Sequence, residues 1–151
     1  MHKIYEKIYF FSYIIMDTYN WSNYIFPPLI VGLSVVIKDK YVDGYDITNA
    51  VLLTDVGLHI VAYLLSDVIV QFGVNRMFEQ NPDSDLLKAG TDIVVQPALH
   101  GVMTGVVRPM MHSEQTLLDH PITFFTSFTD GLVFNIVGKY LSSPLVIYFS
   151  N

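Results

Sequence analysis

The chain has no cysteine. That removes disulfides, thiolate metal ligands and cysteine nucleophiles at once, and leaves the redox compartment open. Charge is scarce as well. Asp, Glu, Lys and Arg make up 15% of the 151 residues, against about 25% in an ordinary soluble domain. Basic residues are the scarcer sign: eight Lys and Arg stand against fourteen Asp and Glu, a formal charge of -6. No basic cluster is present to neutralise phosphates, so nucleic acid is not an expected partner. The sequence also lacks G-x-S-x-G, a glycine-rich phosphate loop and H-E-x-x-H. It therefore reads as a non-enzyme, with no catalytic residue, cofactor or metal site expected.

What the chain has instead is apolar surface. Hydrophobic residues are 52% of it and the mean hydropathy is +0.42. With so little charge, that composition favours lipid as the solvent. The length suits one domain. Residues 1–16 combine Lys3 and Lys7 with an aromatic-aliphatic run but meet no small-residue cleavage site, so they read as an ordered or interfacial arm. Met16 offers a second start. Residues 17–151 form a single helical membrane domain. Its spans are expected at about 19–37, 48–74, 86–107 and 121–141.

Local signals set those bounds. Pro27-Pro28 should start the regular part of the first helix, and Lys38, Asp39 and Lys40 end it. Asp43-Gly44 reads as a turn. Thr48 is the expected cap of the second helix and Arg76 its close. Asn81-Pro82-Asp83-Ser84 reads as a turn and a cap. Pro97 should kink the third helix and Arg108-Pro109 should stop it. Ser142-Ser143-Pro144 should break the fourth, leaving residues 145–149 as a strand or a surface segment. His2, His112 and His120 read as exposed loop residues.

Inside these apolar segments sits a row of acids. Asp55 and Asp67 fall in the second, Asp92 in the third, Asp130 in the fourth. Thr54-Asp55, Thr91-Asp92 and Thr129-Asp130 recur at spacings of 37 and 38 residues, a hairpin-sized period or a coincidence. A carboxylate in hydrocarbon is expensive, so each should face another helix or water. The second helix shows how close the balance is. Its aliphatic residues contribute roughly -6 kcal/mol to insertion, while two central aspartates cost roughly +5 to +7 kcal/mol. It should insert only beside partners that shield its polar face.

The helical period places such faces. Thr48, Asp55, His59, Ala62, Ser66 and Gly73 fall within about 60° of one another, with Asp67 to one side. Asp92, Gln96 and His100 follow at i, i+4 and i+8. Ala98, Gly101 and Gly105 form an opposite small face, and Gly101 with Gly105 makes a small-xxx-small contact motif. Thr123, Thr126, Ser127 and Asp130 share a face of the fourth helix. The expected architecture is all-α: a compact bundle of about four transmembrane helices with these stripes turned inward. The stripes then either fix helix packing or line a path for protons or ions. Asp55, His59 and His100 are also the residues a metal would need, although no ligand motif joins them. A soluble oligomeric bundle is the third alternative.

Short loops leave no separate catalytic or sensing domain. Ten Tyr and ten Phe give ample contact surface. The chain resembles the small multi-span minor capsid and inner-membrane proteins of large icosahedral DNA viruses. The likeness lies in its size, few arginines, absent cysteine, and aromatic-rich stretches such as Trp21-Ser22-Asn23-Tyr24-Ile25-Phe26-Pro27-Pro28. It implies a structural or assembly subunit in a virion inner membrane, tying shell to lipid, with the bilayer, other capsid subunits or further copies as partners. It assigns no residue roles. With four spans, Lys3, Lys7, Arg76, Lys88 and Lys139 share one side and Lys38, Lys40 and Arg108 the other, which slightly favours both termini inside.

Overall fold

Helix α1 spans Ser22–Tyr41. In this computed structural model, residues 22–46, 48–74, 76, 84–112 and 122–150 are described. The arm at 1–16, His2, His120 and most of the turn at 81–84 lie outside them. Every regular element among the described residues is helical, and there are four helices in chain order.

α1 does not wait for its prolines. It runs straight through Pro27 and Pro28, which correct the expected start. The carbonyls that lose a donor belong to Asn23 and Tyr24, in the first turn, where disruption is mildest. Both prolines are buried. Opposite them a Cβ on Gly138 would come within 2.5 Å of Val31 Cγ2 and 3.1 Å of the Pro27 carbonyl oxygen, so glycine admits the neighbouring helix. The helix ends in a turn at Gly44, whose φ of 77° is a left-handed conformation suited to glycine.

α2 comprises Ala50–Ile69 and a π-helical turn, Val70–Val74. Its cap is Asn49, not Thr48: the Asn49 side chain accepts from the Val51 N–H at 2.9 Å. α3 comprises Ser84–Gly90, a π-helical turn Thr91–Val95, and Gln96–Met111. The π turn lies where a proline kink was expected. Pro97 has no N–H for the carbonyl four residues back and its ring crowds that carbonyl, so a wider turn before it relieves the clash. α3 also passes Pro109 instead of stopping at it. α4 spans Phe124–Ser150, with Thr123 at its entrance accepting from the Thr126 N–H at 3.3 Å. It does not break at Pro144. Ser142 and Ser143 hydroxyls both donate back to the Lys139 carbonyl, at 3.1 and 2.8 Å, within the turn the proline perturbs. The segment expected as a strand or surface tail is helix.

The helices pack in a ring. Each touches its sequence neighbour and α4 closes onto α1, while α2 and α4 barely meet across the axis. α3 and α4 make the most extensive contact. A Cβ on Gly101 would sit 2.7 Å from the Phe128 carbonyl oxygen, and one on Gly131 would sit 2.8 Å from the Gly101 Cα. Small residues on both sides let the backbones approach.

Burial is inverted relative to a water-soluble domain. Fourteen polar or charged residues are buried among those described, against eight hydrophobic ones. The apolar cluster is small: Val31, Val35, Tyr63 and Phe134, with Val56 against it. Leu29, Leu33, Leu53, Val61, Val106, Phe125 and Ile147 point outward. Two helices, Ala50–Val74 and Phe124–Phe149, are long and apolar enough to cross a membrane, with mean hydropathies of 1.6 and 1.4. In those windows 33% and 22% of residues are buried, whereas the core helix of a soluble protein would be mostly buried. α1 and α3 carry more charge: Lys38, Asp39 and Lys40 in one, Asp92 and Arg108 in the other.

Candidate functional site

The buried polar side chains line the space between the helices, and the strongest group gathers at the end that holds the α1–α2 turn. Its centre is Arg108, on the last turns of α3. One side chain there meets a carboxylate from each of the other three helices. Nε and Nη2 both donate to Asp55 Oδ2 of α2, at 2.8 and 2.6 Å. Nη1 donates to Asp130 Oδ2 of α4 at 3.0 Å. Nη2 also lies 3.6 Å from Asp39 Oδ1 of α1. The second oxygen of Asp55 meets His112 Nε2 at 2.7 Å. Lys38 completes the rim, 2.7 Å from Asp43 and 3.0 Å from Asp130. A guanidinium can do this because its five N–H groups form a planar fork.

Asp39 differs from the other members. Its side chain is 1% exposed, and neither oxygen has a hydrogen bond among the described residues. It lies past the charge-free stretch of α1, which ends at Ile37. Burial pushes its carboxyl above the ordinary range and the Asp55 carboxylate pushes the same way, while Arg108 and Lys38 oppose them. In the adjoining turn, burial and then Asp43 raise the Tyr45 phenol. A cavity of about 510 Å³ reaches this end, lined by Lys38, Asp43, Tyr45, Arg108, Phe125 and Asp130 among others.

Midway along the bundle, His59 of α2 and His100 of α3 are both buried. His59 Nδ1 lies 3.2 Å from His100 Nε2, and His100 Nδ1 lies 3.3 Å from the Asn135 side-chain nitrogen. An amide nitrogen only donates, so His100 Nδ1 accepts. His100 Nε2 then carries the proton and donates to His59 Nδ1. Phe134 meets the His59 ring edge-on at 4.9 Å between centroids. Thr104 donates to the Ser127 carbonyl at 2.8 Å, tying α3 to α4 beside this chain.

The far end is looser. Lys139 Nζ donates to the Asp92 carbonyl at 2.9 Å and lies 3.8 Å from its carboxylate. Asp67 lines a cavity of about 500 Å³ with Tyr63, Gln71 and Lys139. Gln96 is fully buried beside Tyr63 and Asp67 but meets hydrogen-bond geometry with neither.

No family model, curated protein or solved structure matches the chain. Its own geometry is therefore the guide.

The structure divides the residues singled out from sequence into three places. Asp55 and Asp130 share Arg108 at one end. His59 and His100 pair in the middle. Asp67, Asp92 and Gln96 lie at the other end, so the three Thr-Asp carboxylates do not converge. Asp92 is half exposed while its neighbour Thr91 is buried, because the π turn rotates the register of α3. Thr48 and Gly73 are exposed, unlike Asp55, His59, Ala62 and Ser66 of the same expected stripe. On α4, Thr123 and Thr126 are exposed while Ser127 is buried. Gly101 and Gly105 both face α4, against Phe128 and Phe124.

Five members of the cluster were missing from the sequence reading. Lys38 and Asp39 read as a helix end, Asp43 as a turn, Arg108 as a helix stop, and His112 as an exposed loop residue. His112 is instead 5% exposed and bonded to Asp55. For Arg108 and His112 a signal was present: Asp92, Gln96, His100, Thr104, Arg108 and His112 continue one i+4 series. Among the described residues no group of three or more His, Asp or Glu is arranged to hold a metal ion. Asp55, His59 and His100 do not form one, since Asp55 is taken up by Arg108 and His112.

Proposed function

We propose that this chain is an integral membrane structural subunit: a four-helix block that spans the bilayer with all four helices and serves as a building piece of a larger complex. The observation that carries the reading is the inversion of burial. Polar groups gather inside, and leucine, valine and phenylalanine cover the outside, which is where lipid or protein neighbours supply an apolar surface. α1 and α3 are less apolar than the other two, and Lys38, Asp39 and Arg108 point into the cluster, so the bundle inserts as a unit rather than helix by helix. Arg108 supports a structural role, because its guanidinium ties a carboxylate from each of the other three helices into one end of the bundle. The setting we propose, from the sequence resemblance, is the inner membrane of an icosahedral virus, where the block would tie shell to lipid.

A second reading has its own support. The directional chain Asn135, His100, His59 lies between cavities that reach the bundle from opposite ends, an arrangement suited to moving protons. Alkaline carbonate washing of membranes, then native mass in detergent, separates the readings. A retained chain that elutes with other proteins or as an oligomer supports the structural subunit. A retained lone chain moves the proton reading ahead, to be checked by flux in liposomes. A chain that washes off refutes both.

A further inference from the structure

The clasp around Arg108 is unbalanced. Its carboxylates are Asp39, Asp43, Asp55 and Asp130, and its permanent cations are Lys38 and Arg108. Even with His112 counted as a cation, one negative charge is left over. Lys38, Asp43 and Asp130 are partly exposed at the rim, so the cost of the surplus falls on the buried carboxylates, where it is relieved by taking up a proton. The four carboxylates are not equal candidates. Asp55 accepts from Arg108 through one oxygen and faces His112 with the other. Asp130 is held by Arg108 and Lys38, and Asp43 by Lys38. Asp39 alone has neither oxygen hydrogen-bonded, although its side chain is 1% exposed and aimed at the guanidinium from 3.6 Å.

We propose that Asp39 is a proton-binding site, carrying the proton that makes the clasp electrically neutral. The groups that face it are Lys38 on its own helix, Asp43 and Tyr45 in the following turn, Asp55 on α2 and Arg108 on α3, with His112, on Asp55, and Asp130, on Arg108 and Lys38, one step further out. A protonated Asp39 gains a hydroxyl donor and no longer competes for Arg108, which already gives three of its N–H groups to Asp55 and Asp130. Loss of the proton leaves three carboxylates around one guanidinium, with α1 holding the least satisfied of them. The cavity lined by Arg108, Lys38 and Asp130 reaches the ionic neighbours of Asp39 from outside. This proposal goes beyond the structural role, since it concerns one group in the isolated bundle.

The test is carboxyl 13C NMR of the wild-type protein in detergent, with side-chain signals assigned by correlation to the backbone. An ordinary aspartate is ionised above about pH 5. The expected result is an Asp39 signal still at the carboxylic acid position there, moving to the carboxylate position only as the pH approaches or passes neutral. Asp39→Asn, which has the shape of the protonated acid, should fold and lack that titration. An Asp39 signal already at the carboxylate position at about pH 5 overturns the proposal, and so does a proton found on Asp55 or Asp130 instead. Because the wild-type titration stands alone, failure of the variant to fold leaves the measurement decisive.

Discussion

Arg108 donates twice to one oxygen of Asp55, at 2.6 and 2.8 Å, and leaves the other oxygen to His112 at 2.7 Å. That division joins α2 to two points of α3 and still frees Nη1 for Asp130 of α4. One carboxylate and one guanidinium thus organise a whole end of the bundle.

Removing the guanidinium should be severe. Arg108→Met strands Asp39, Asp55 and Asp130 without their shared cation. Losing one partner of a buried pair costs about 3–5 kcal/mol, so the variant should melt far below wild type in detergent. Arg108→Lys should recover little, because a point charge cannot reach three carboxylates. Melting of Arg108→Lys within a few degrees of wild type would contradict this account.

The α3–α4 contact should reject any side chain at Gly131. An added Cβ there meets Thr104 Oγ1 and the Gly101 backbone, and overpacking of this kind costs about 1–3 kcal/mol. Gly57 is the control. A Cβ there meets nothing within 4 Å, so Gly57→Ala should raise stability by up to about 1 kcal/mol through helix propensity. Parallel thermal melts of Gly131→Ala and Gly57→Ala should move in opposite directions.

The histidine pair should show fixed tautomers. His100 carries its proton on Nε2, and the Nδ1 of each ring accepts. Imidazole 15N shifts in the folded protein report this directly. Asn135→Leu removes the donor to His100 Nδ1 and should change the His100 pattern. An unchanged His100 spectrum would show that the amide does not set the tautomer.

Stability should fall as the pH rises through the raised range of Asp39. The folded-state group binds its proton more tightly than the unfolded chain, with its value raised from 3.8 to about 7. Its contribution is therefore complete below the unfolded value and lost on passing the folded one. Denaturation midpoints measured between those limits should decline for wild type. In Asp39→Asn that decline should be absent.

The sequence alone settled the helical character and the central part of the shared side of α2 and α3, though not Thr48, Gly73, Asp92, Thr123 or Thr126. Apolar runs with embedded polar positions at the helical period put Asp55, His59, Ala62 and Ser66 on one face of α2, and Gln96 with His100 on one face of α3. Those relations are internal to a single helix, so a spacing of four residues is enough to find them. Which faces meet, and at what height, was decided only by the tertiary structure. Arg108 looked like a charge at a helix end until three other helices brought carboxylates within its reach. His112 looked like a loop residue until Asp55 stood 2.7 Å away. Pro27, Pro28, Pro109 and Pro144 looked like boundaries, yet the helices pass through them, because neighbouring packing and local hydroxyls offset the lost hydrogen bonds. Local periodicity carries no information about the depth at which an antiparallel neighbour places its side chains. That depth turned three separate polar stripes into one clasp, one histidine pair and one looser polar end.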